Sequence, residues 1–243
     1  MAVAAEGIAS AIASVRERID AACARSGRKT EEVRLMGVSK FHPAGAVEAA
    51  WKAGLGLFGE SRVQEAAAKF PDLGAFRAGH PGAELHMIGS LQRNKAKAAV
   101  SLFDCVQSVD RDELIAELGK SARARAAQGL SPLGVLLELN AGEETKSGYR
   151  DEDALLHGAE KLLATPGLAA RGLMIMAPLT GGLAAVRRAF RSLNALQGRL
   201  MARFPEADWS CLSMGMSGDF ETAIEEGSTL VRIGTAIFGG RGK

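Results

Sequence analysis

Aromatic residues, long apolar runs and excess charge of either sign are all scarce in this chain. Phe, Trp and Tyr make up 5% of its 243 residues, too few for the base-stacking surface of a protein that binds single-stranded nucleic acid. The formal net charge is only +2, so no broad electric field favours nucleic acid or an acidic membrane. No stretch approaches the ~20 apolar residues of a membrane helix. We therefore expect neither a nucleic-acid partner nor a membrane partner.

Cysteine and histidine are also too sparse for the sites they usually build. The three cysteines stand far apart and form no C-x-x-C pair: Cys23, Cys105 and Cys211. Their odd number is typical of reduced thiols in a cytoplasmic protein. His42, His80 and His157 lack metal-ligand spacing, so no metal site is expected. The N-terminus lacks the long apolar core of a signal peptide, which also favours the cytoplasm.

The apolar pattern alternates short strands with helices along the whole chain. Ile8, Ile12, Val15 and Ile19 recur at helical spacing, which predicts an amphipathic helix over residues 5–26. Beyond it, short apolar runs predict eight strands: Leu35–Ser39, Leu57–Gly59, Leu85–Gly89, Phe103–Val106, Gly134–Leu139, Gly172–Ile175, Trp209–Ser213 and Val231–Gly234. Helices are predicted between them, near residues 44–53, 61–69, 92–100, 111–128, 151–164, 181–203 and 218–226.

Eight strand–helix units favour one architecture. Because strand and helix alternate, the strands should pair in parallel with the helices outside. Eight units in 243 residues predict one domain over residues 1–243, a single (β/α)8 TIM barrel with an extra N-terminal helix. An open doubly wound sheet is the structural alternative. No helix is expected after the last strand.

A lysine, Lys40, follows the first predicted strand directly. In barrels of this class the chemistry lies at the C-terminal ends of the strands. An amine at that place can form an imine with an aldehyde. The alternative interpretation is a plain solvated lysine after a strand.

Two late segments suit a phosphate group. The first, residues 213–219, contains glycines that let a backbone approach closely and the hydroxyl of Ser217. The second, residues 231–235, ends at Thr235, a further hydroxyl donor. Alternatively, Ser217 or Asp219 simply caps the helix that follows. A strand-end lysine combined with a late phosphate cradle suggests pyridoxal 5'-phosphate (PLP) as the cofactor.

Arg232 and His86 are polar residues on strands that should be buried. A buried arginine is costly without a partner, so Arg232 needs an internal carboxylate or a ligand. His86 on an apolar strand is more often a satisfied core histidine than a catalytic base. Met174 and Met214 are most simply core residues near the barrel mouth.

At these residues the sequence resembles the pyridoxal phosphate homeostasis protein family of the YggS/PROSC type. The likeness runs from about residue 8 to residue 239 and so covers nearly the whole chain. The blocks that carry it are Val38–Lys40, Phe58–Glu65, His86–Lys95, Lys146–Gly148, Gly172–Met174, Leu212–Ser217 and Glu225–Thr235.

The resemblance implies a barrel like the N-terminal domain of alanine racemase, with PLP held as an imine on Lys40. It places Ser217, Gly234 and Thr235 at the phosphate, and Arg232 at the pyridine nitrogen. The remaining expected cofactor-binding residues are Ser61, His86, Met174, Ser213, Met214 and Gly215. Lys146 matches a family lysine proposed to assist PLP exchange.

The implied function is intracellular PLP homeostasis without established catalysis. The protein would store or deliver PLP, meet PLP-dependent apo-enzymes transiently and act as a monomer. Two alternatives stay open: a weak fold-type III PLP enzyme such as an amino-acid racemase, and a barrel lyase that uses Lys40 without a cofactor. Arg232 would keep the ring nitrogen unprotonated and the electron sink weak, and Tyr149 is a poor second base.

One departure from the family pattern concerns the cofactor ring. The family usually has Asn where this chain has Ser61. A serine is shorter and has no amide, so a contact to the ring oxygen is expected to be lost or mediated by water. The loop after the sixth strand, residues 176–181, is also short.

Overall fold

A computed structural model describes residues 5–127, 129–142 and 147–240. Its eight strands form a closed barrel in chain order, with every neighbouring pair parallel. The strands are β1 (Arg34–Val38), β2 (Leu57–Glu60), β3 (Glu84–Met87), β4 (Cys105–Val109), β5 (Leu133–Leu139), β6 (Leu168–Ile175), β7 (Cys211–Ser213) and β8 (Leu230–Ile233). β8 pairs with β1, with Arg232 beside Met36. The predicted TIM barrel is confirmed, and the open sheet is wrong.

Ten α-helices lie in the part of the chain that the structure describes. They are α1 (Ala5–Ser26), α2 (Ala44–Lys52), α3 (Val63–Lys69), α4 (Leu73–Gly79), α5 (Ala96–Leu102), α6 (Asp112–Ala127), α7 (Glu152–Leu163), α8 (Gly182–Arg203), α9 (Phe220–Glu225) and α10 (Thr235–Phe238). None of these described helices combines the length and the apolar character that a membrane span requires. α4 was not predicted, and α10 corrects the expectation that no helix follows the last strand.

Burial on both faces explains the continuous apolar strands. Every residue of β4 and β5 is buried, because one face points into the barrel and the other packs under the helices. The predicted N-terminal helix is confirmed as α1. Its apolar stripe is buried, as the helical spacing of the four residues predicts: Ile8, Ile12, Val15 and Ile19. α1 packs on α2, α9 and α10 and so lies over the junction of β8 with β1.

The ladder between β7 and β8 is the shortest in the barrel. Ser213 and Leu230 form the single registered pair of this junction. The Arg232 side chain adds bonds across it, since its Nη1 lies 2.7 Å from the Ser213 carbonyl oxygen. Its Nη2 lies 3.0 Å from the carbonyl oxygen of Ile175. One side chain of β8 therefore ties β6, β7 and β8 together; we call these three strands the seam.

Gly172 allows β6 to approach β7 closely. Its φ is +142°, and a Cβ atom there would lie 1.9 Å from the carbonyl oxygen of Cys211. We expect Gly172→Ala to lower the free energy of unfolding by about 2 kcal/mol or more, since backbone strain and overpacking both act there. Thermal unfolding followed by circular dichroism measures the loss.

Gly198 provides the matched control for this substitution. It lies in the middle of α8, and nothing stands within 4 Å of a Cβ atom added there. Gly198→Ala should raise stability by up to about 1 kcal/mol through helix propensity. Equal melting temperatures for the two alanine variants would contradict the close approach at Gly172.

Candidate functional site

A cavity of about 400 Å³ opens at the C-terminal ends of the strands. We call it the mouth cavity. Six of the predicted site residues line it: Lys40, Ser61, Ser217, Arg232, Gly234 and Thr235. They come from four different strand-end segments, those of β1, β2, β7 and β8, which the closed barrel brings to one rim. The size is within the range of small-ligand sites, which is roughly 300–1,000 Å³.

The segment after β7 is shaped by a glycine and a carboxylate. Gly215 has a φ of +96°, and a Cβ atom there would lie 2.6 Å from the Cβ of Ala223. Its carbonyl oxygen accepts a hydrogen bond from the Arg232 backbone N–H at 2.9 Å. Asp219 accepts from the Met216 N–H at 2.6 Å and does not cap α9. The Asp219 carboxylate therefore bonds within the loop, and the Ser217 side chain lines the mouth cavity.

The Arg232 guanidinium is held by hydrogen bonds to the strands and also lines the mouth cavity. Its Nη1 donates to the carbonyl and hydroxyl oxygens of Ser213, both at 2.7 Å, and its Nη2 donates to Ile175. Three of its five N–H groups are so engaged, and among the described residues none accepts from the other two. Burial lowers the pKa of Arg232 from its ordinary value, while Glu138 and Asp219 oppose that effect. The guanidinium is therefore held in place with donors left for a ligand.

The turn that carries Lys40 rests on a buried ion pair. Lys69 Nζ lies 2.6 Å from Glu60 Oε1 and 2.7 Å from the carbonyl oxygen of Ser39. The Ser39 hydroxyl donates to the same Glu60 oxygen at 2.7 Å. Burial raises the pKa of Glu60, and the ammonium of Lys69 opposes that rise. This pair anchors the residue that precedes Lys40.

Phe41, directly after Lys40, has a φ of +66°. This left-handed conformation is uncommon for a residue with a large side chain. The Glu65 carboxylate accepts the Phe41 backbone N–H, and the Arg62 guanidinium lies 5.6 Å from the Phe41 ring centre. These contacts hold the backbone turn and so fix the direction in which Lys40 leaves the strand.

Glu138 is a site residue that the sequence reasoning missed. It lies on β5, is 1% exposed and lines the mouth cavity. The Ser147 hydroxyl donates to both of its carboxylate oxygens, at 3.0 and 3.1 Å. The signal was present, because Glu138 is the sole charged residue within the apolar run Leu133–Leu139.

Five predicted site residues do not line the mouth cavity. Ser213 and Gly215 support Arg232 from behind. Met174 is buried among Cys105 and Leu136 inside the barrel, and Met214 is part of the main hydrophobic core. His86 lines a different cavity, at the N-terminal ends of the strands. These five are His86, Met174, Ser213, Met214 and Gly215. Lys146 lies outside the described residues.

The residues of the mouth cavity form a donor set that fits PLP. Ser217 and Thr235 supply hydroxyls beside two glycines, as a phosphate needs. Four apolar side chains that suit an aromatic ring line the same cavity: Val38, Ile88, Met176 and Met216. Within the described ranges, no three His, Cys, Asp or Glu side chains are grouped as metal ligands.

Comparison with known sequences finds a matching family model and two relatives that share one name. The family model for the N-terminal domain of alanine racemase matches residues 12–242. A protein of Vibrio cholerae named pyridoxal phosphate homeostasis protein is 39% identical over 95% of this chain and 94% of its own length. A protein of Escherichia coli with the same name is 41% identical over 96% of this chain and 97% of its own length.

A solved structure shares this fold over nearly its full length. PipY of Synechococcus elongatus, with PLP bound, superimposes with a TM-score of 0.79. It is 35% identical in sequence, and the match covers 96% of this chain and 100% of PipY.

Proposed function

We propose, since this chain belongs to the pyridoxal phosphate homeostasis protein family, that it holds PLP in the mouth cavity as an imine on Lys40. The observation that carries the proposal is the meeting of Lys40, Arg232 and the hydroxyl pair Ser217 and Thr235 in one cavity. The names of the relatives and the PLP bound to PipY support the cofactor.

Each residue has a separate part in binding. When bound, PLP supplies an aldehyde, with which the Lys40 amine condenses to an imine and one water. Ser217 and Thr235 donate hydroxyl hydrogen bonds to the phosphate, next to Gly234. Arg232 donates to the ring nitrogen, and its pinned guanidinium can only donate.

These features favour a carrier over an enzyme. Because Arg232 donates and stays charged, it opposes protonation of the ring nitrogen and weakens the electron sink. Tyr149, the sole tyrosine of the chain, donates to Asp112 at 2.9 Å and is 6% exposed. Burial raises the pKa of Tyr149, which makes it unsuitable as the second base of a racemase. The relatives are named homeostasis proteins, which agrees with this assignment.

The visible absorption spectrum tests the proposal. Protein mixed with PLP and freed of excess should show an imine band that borohydride bleaches. Peptide mapping should then find the pyridoxyl group on Lys40. A colourless protein that gains no band with PLP would overturn the cofactor and leave the barrel lyase without a cofactor. A label at another lysine would overturn the role of Lys40 alone.

Deuterium exchange separates the carrier from the racemase. The loaded protein is incubated with L-alanine in D2O, with an authentic alanine racemase as the positive control. The carrier predicts that the amino acid keeps its α-hydrogen. Incorporation of deuterium at the α-carbon would instead assign a fold-type III enzyme.

Storage and delivery of PLP are the finer part of the proposal. We propose that the protein acts as a cytoplasmic monomer, meets PLP-dependent apo-enzymes transiently and uses Lys146 for exchange. Ser147, which follows Lys146 directly in the sequence, lines the mouth cavity. Transfer of PLP to an apo-enzyme faster than spontaneous release into buffer would support delivery.

Ser61→Asn should slow the release of PLP. Ser61 lines the mouth cavity, and an amide at this position has the reach to bond the ring oxygen, as the family pattern implies. One added hydrogen bond is worth about 1 kcal/mol, so the release rate measured by dilution should fall about fivefold. Ser90→Asn adds the same amide to the same cavity and should leave the rate unchanged. Faster release from Ser61→Asn would show that the serine is compensated by its neighbours.

A further inference from the structure

A chain of hydrogen bonds crosses the barrel interior behind Arg232. Arg232 Nη1 lies 2.7 Å from Ser213 Oγ, which lies 2.6 Å from Gln107 Oε1. Gln107 Nε2 lies 2.8 Å from His86 Nδ1, and His86 Nε2 lies 3.0 Å from Glu84 Oε2. We call these five residues the interior chain. They lie on β8, β7, β4 and β3, so the bonds connect strands that are not all neighbours.

The donors of the interior chain all point the same way. Arg232 can only donate, so Ser213 accepts from it and gives its own proton to the Gln107 carbonyl oxygen. The Gln107 amide nitrogen then donates to His86 Nδ1. His86 must therefore carry its proton on Nε2, which donates to Glu84. The chain runs from a cation to a carboxylate without a reversal.

The two ends of the interior chain lie in different cavities. Arg232 faces the mouth cavity. His86 and Glu84 line a cavity of about 770 Å³ at the N-terminal ends of the strands, which we call the basal cavity. The bond from His86, together with Arg34, lowers the pKa of Glu84 to about 2. Glu84 therefore stays a carboxylate and continues to accept from His86.

The middle of the interior chain is fully buried. Gln107 and Ser213 are 0% exposed, and His86 is 5% exposed. Such polar groups cost free energy to bury, and an apolar barrel interior would pack without that cost. A network that is satisfied throughout also holds each member in one orientation. Fixed orientation is what the guanidinium beside a ligand needs.

We propose that Gln107 and His86 are positioning residues for the cofactor contact of Arg232. They orient the Ser213 hydroxyl as an acceptor, and Ser213 in turn sets the plane of the guanidinium. Through it, they control how the two free N–H groups meet the ring nitrogen of PLP. The inference rests on the proposed function, because it concerns the same bound cofactor.

The first test is Gln107→Leu, which removes both of the central bonds at similar volume. The protein is loaded with PLP that carries ¹⁵N at the pyridine nitrogen, and the ¹⁵N resonance is compared with that of the unsubstituted protein. The resonance should move, and release of PLP should become about tenfold faster as one charged hydrogen bond loosens. Cys105→Ala is the control, because Cys105 faces the same interior two residues earlier on β4 and is not a member of the interior chain.

A pair of substitutions at His86 separates positioning from stability. His86→Asn keeps an acceptor close to the place of Nδ1, whereas His86→Leu removes it. Asn should retain the resonance and release rate of the unsubstituted protein, and Leu should reproduce the effects of Gln107→Leu. His86 borders the basal cavity, which gives both replacement side chains room.

The outcomes distinguish failure of the proposed function from failure of the positioning role. If the unsubstituted protein takes up no PLP, the proposed function itself fails. If it binds PLP, and Gln107→Leu or His86→Leu keeps its ¹⁵N resonance and release rate, the positioning role is overturned. Equal shifts for His86→Asn, His86→Leu and Cys105→Ala would also overturn it, since they would reflect general loosening of the barrel.

Discussion

Lys40→Ala should lose the borohydride-stable pyridoxyl label completely. Among the described residues, Lys40 is the one lysine that lines the mouth cavity, and alanine has no amine with which the aldehyde could condense. Some PLP should still bind, because Ser217, Thr235 and Arg232 are unchanged. We therefore expect no imine band, a remaining band of free aldehyde and faster release of PLP. Mass spectrometry of the reduced protein and absorption spectra measure both effects.

Lys95→Ala is the matched control for Lys40→Ala. Lys95 lines a second cavity of about 600 Å³ on the same rim, which it shares with Lys40. Its removal should leave the label and the spectrum intact. Full labelling of Lys40→Ala would mean that another lysine carries the cofactor. Complete loss of PLP from that variant would mean that the imine supplies nearly all of the affinity.

Lys69→Met should destabilise the protein by about 3–5 kcal/mol, because it leaves the buried charge of Glu60 without its partner. Glu60 is 0% exposed, and the side chain of Lys69 is 5% exposed. Among the described residues, none donates a hydrogen bond to Glu60 Oε2. Few other interactions can therefore stabilise the charge of this carboxylate once Lys69 is removed. The melting temperature should fall by roughly 6–20 °C. Calorimetry or circular dichroism measures it.

The dependence on pH gives this result a second check. Burial raises the pKa of Glu60 above its ordinary value of 4.5. A raised pKa means that the stability linked to the protonated form is complete below the ordinary value and is lost as pH rises through the folded one. Removing the ammonium of Lys69 raises that pKa further. The deficit of Lys69→Met should therefore be largest near pH 7 and shrink toward pH 4.5.

Two further variants serve as controls for the buried pair. Lys120→Met breaks an ion pair with Glu117 whose lysine is 70% exposed, and it should cost less than about 1 kcal/mol. Combining Glu60→Gln with Lys69→Met removes both charges and should recover most of the loss. A double variant as unstable as Lys69→Met would show that lost packing, not the unpaired charge, causes the effect.

The strands could be predicted closely from sequence, but their ends could not. β7 was predicted to begin at Trp209 and instead begins at Cys211. The Trp209 carbonyl oxygen accepts from Gln197 Nε2 at 2.6 Å, and a distant side chain of this kind leaves no local signal. α4 was missed because it has seven residues and none of them is buried. Apolar periodicity cannot reveal a helix without a buried stripe.

Six of the predicted site residues line the mouth cavity, and five other described ones do not. Alternation along a strand tells which residues face the interior, but not which end of the barrel they approach. His86, which is among the expected cofactor-binding residues, lines the basal cavity. The hydrogen bonds of Gln107 could not be predicted from the sequence, because its partners His86 and Ser213 are far away in sequence.

In the seam, the single side chain of Arg232 adds hydrogen bonds where the β7–β8 ladder has one registered pair. The same guanidinium that ties β6, β7 and β8 together also lines the mouth cavity, with two N–H groups left for a ligand. Ligand binding and closure of the barrel at the seam are then linked equilibria, because each stabilises the orientation of the Arg232 guanidinium that the other requires. For the storage and release of PLP that we propose, this one side chain would couple retention of the ligand to closure of the barrel. We therefore expect conditions that separate β6, β7 and β8 also to promote release of the ligand.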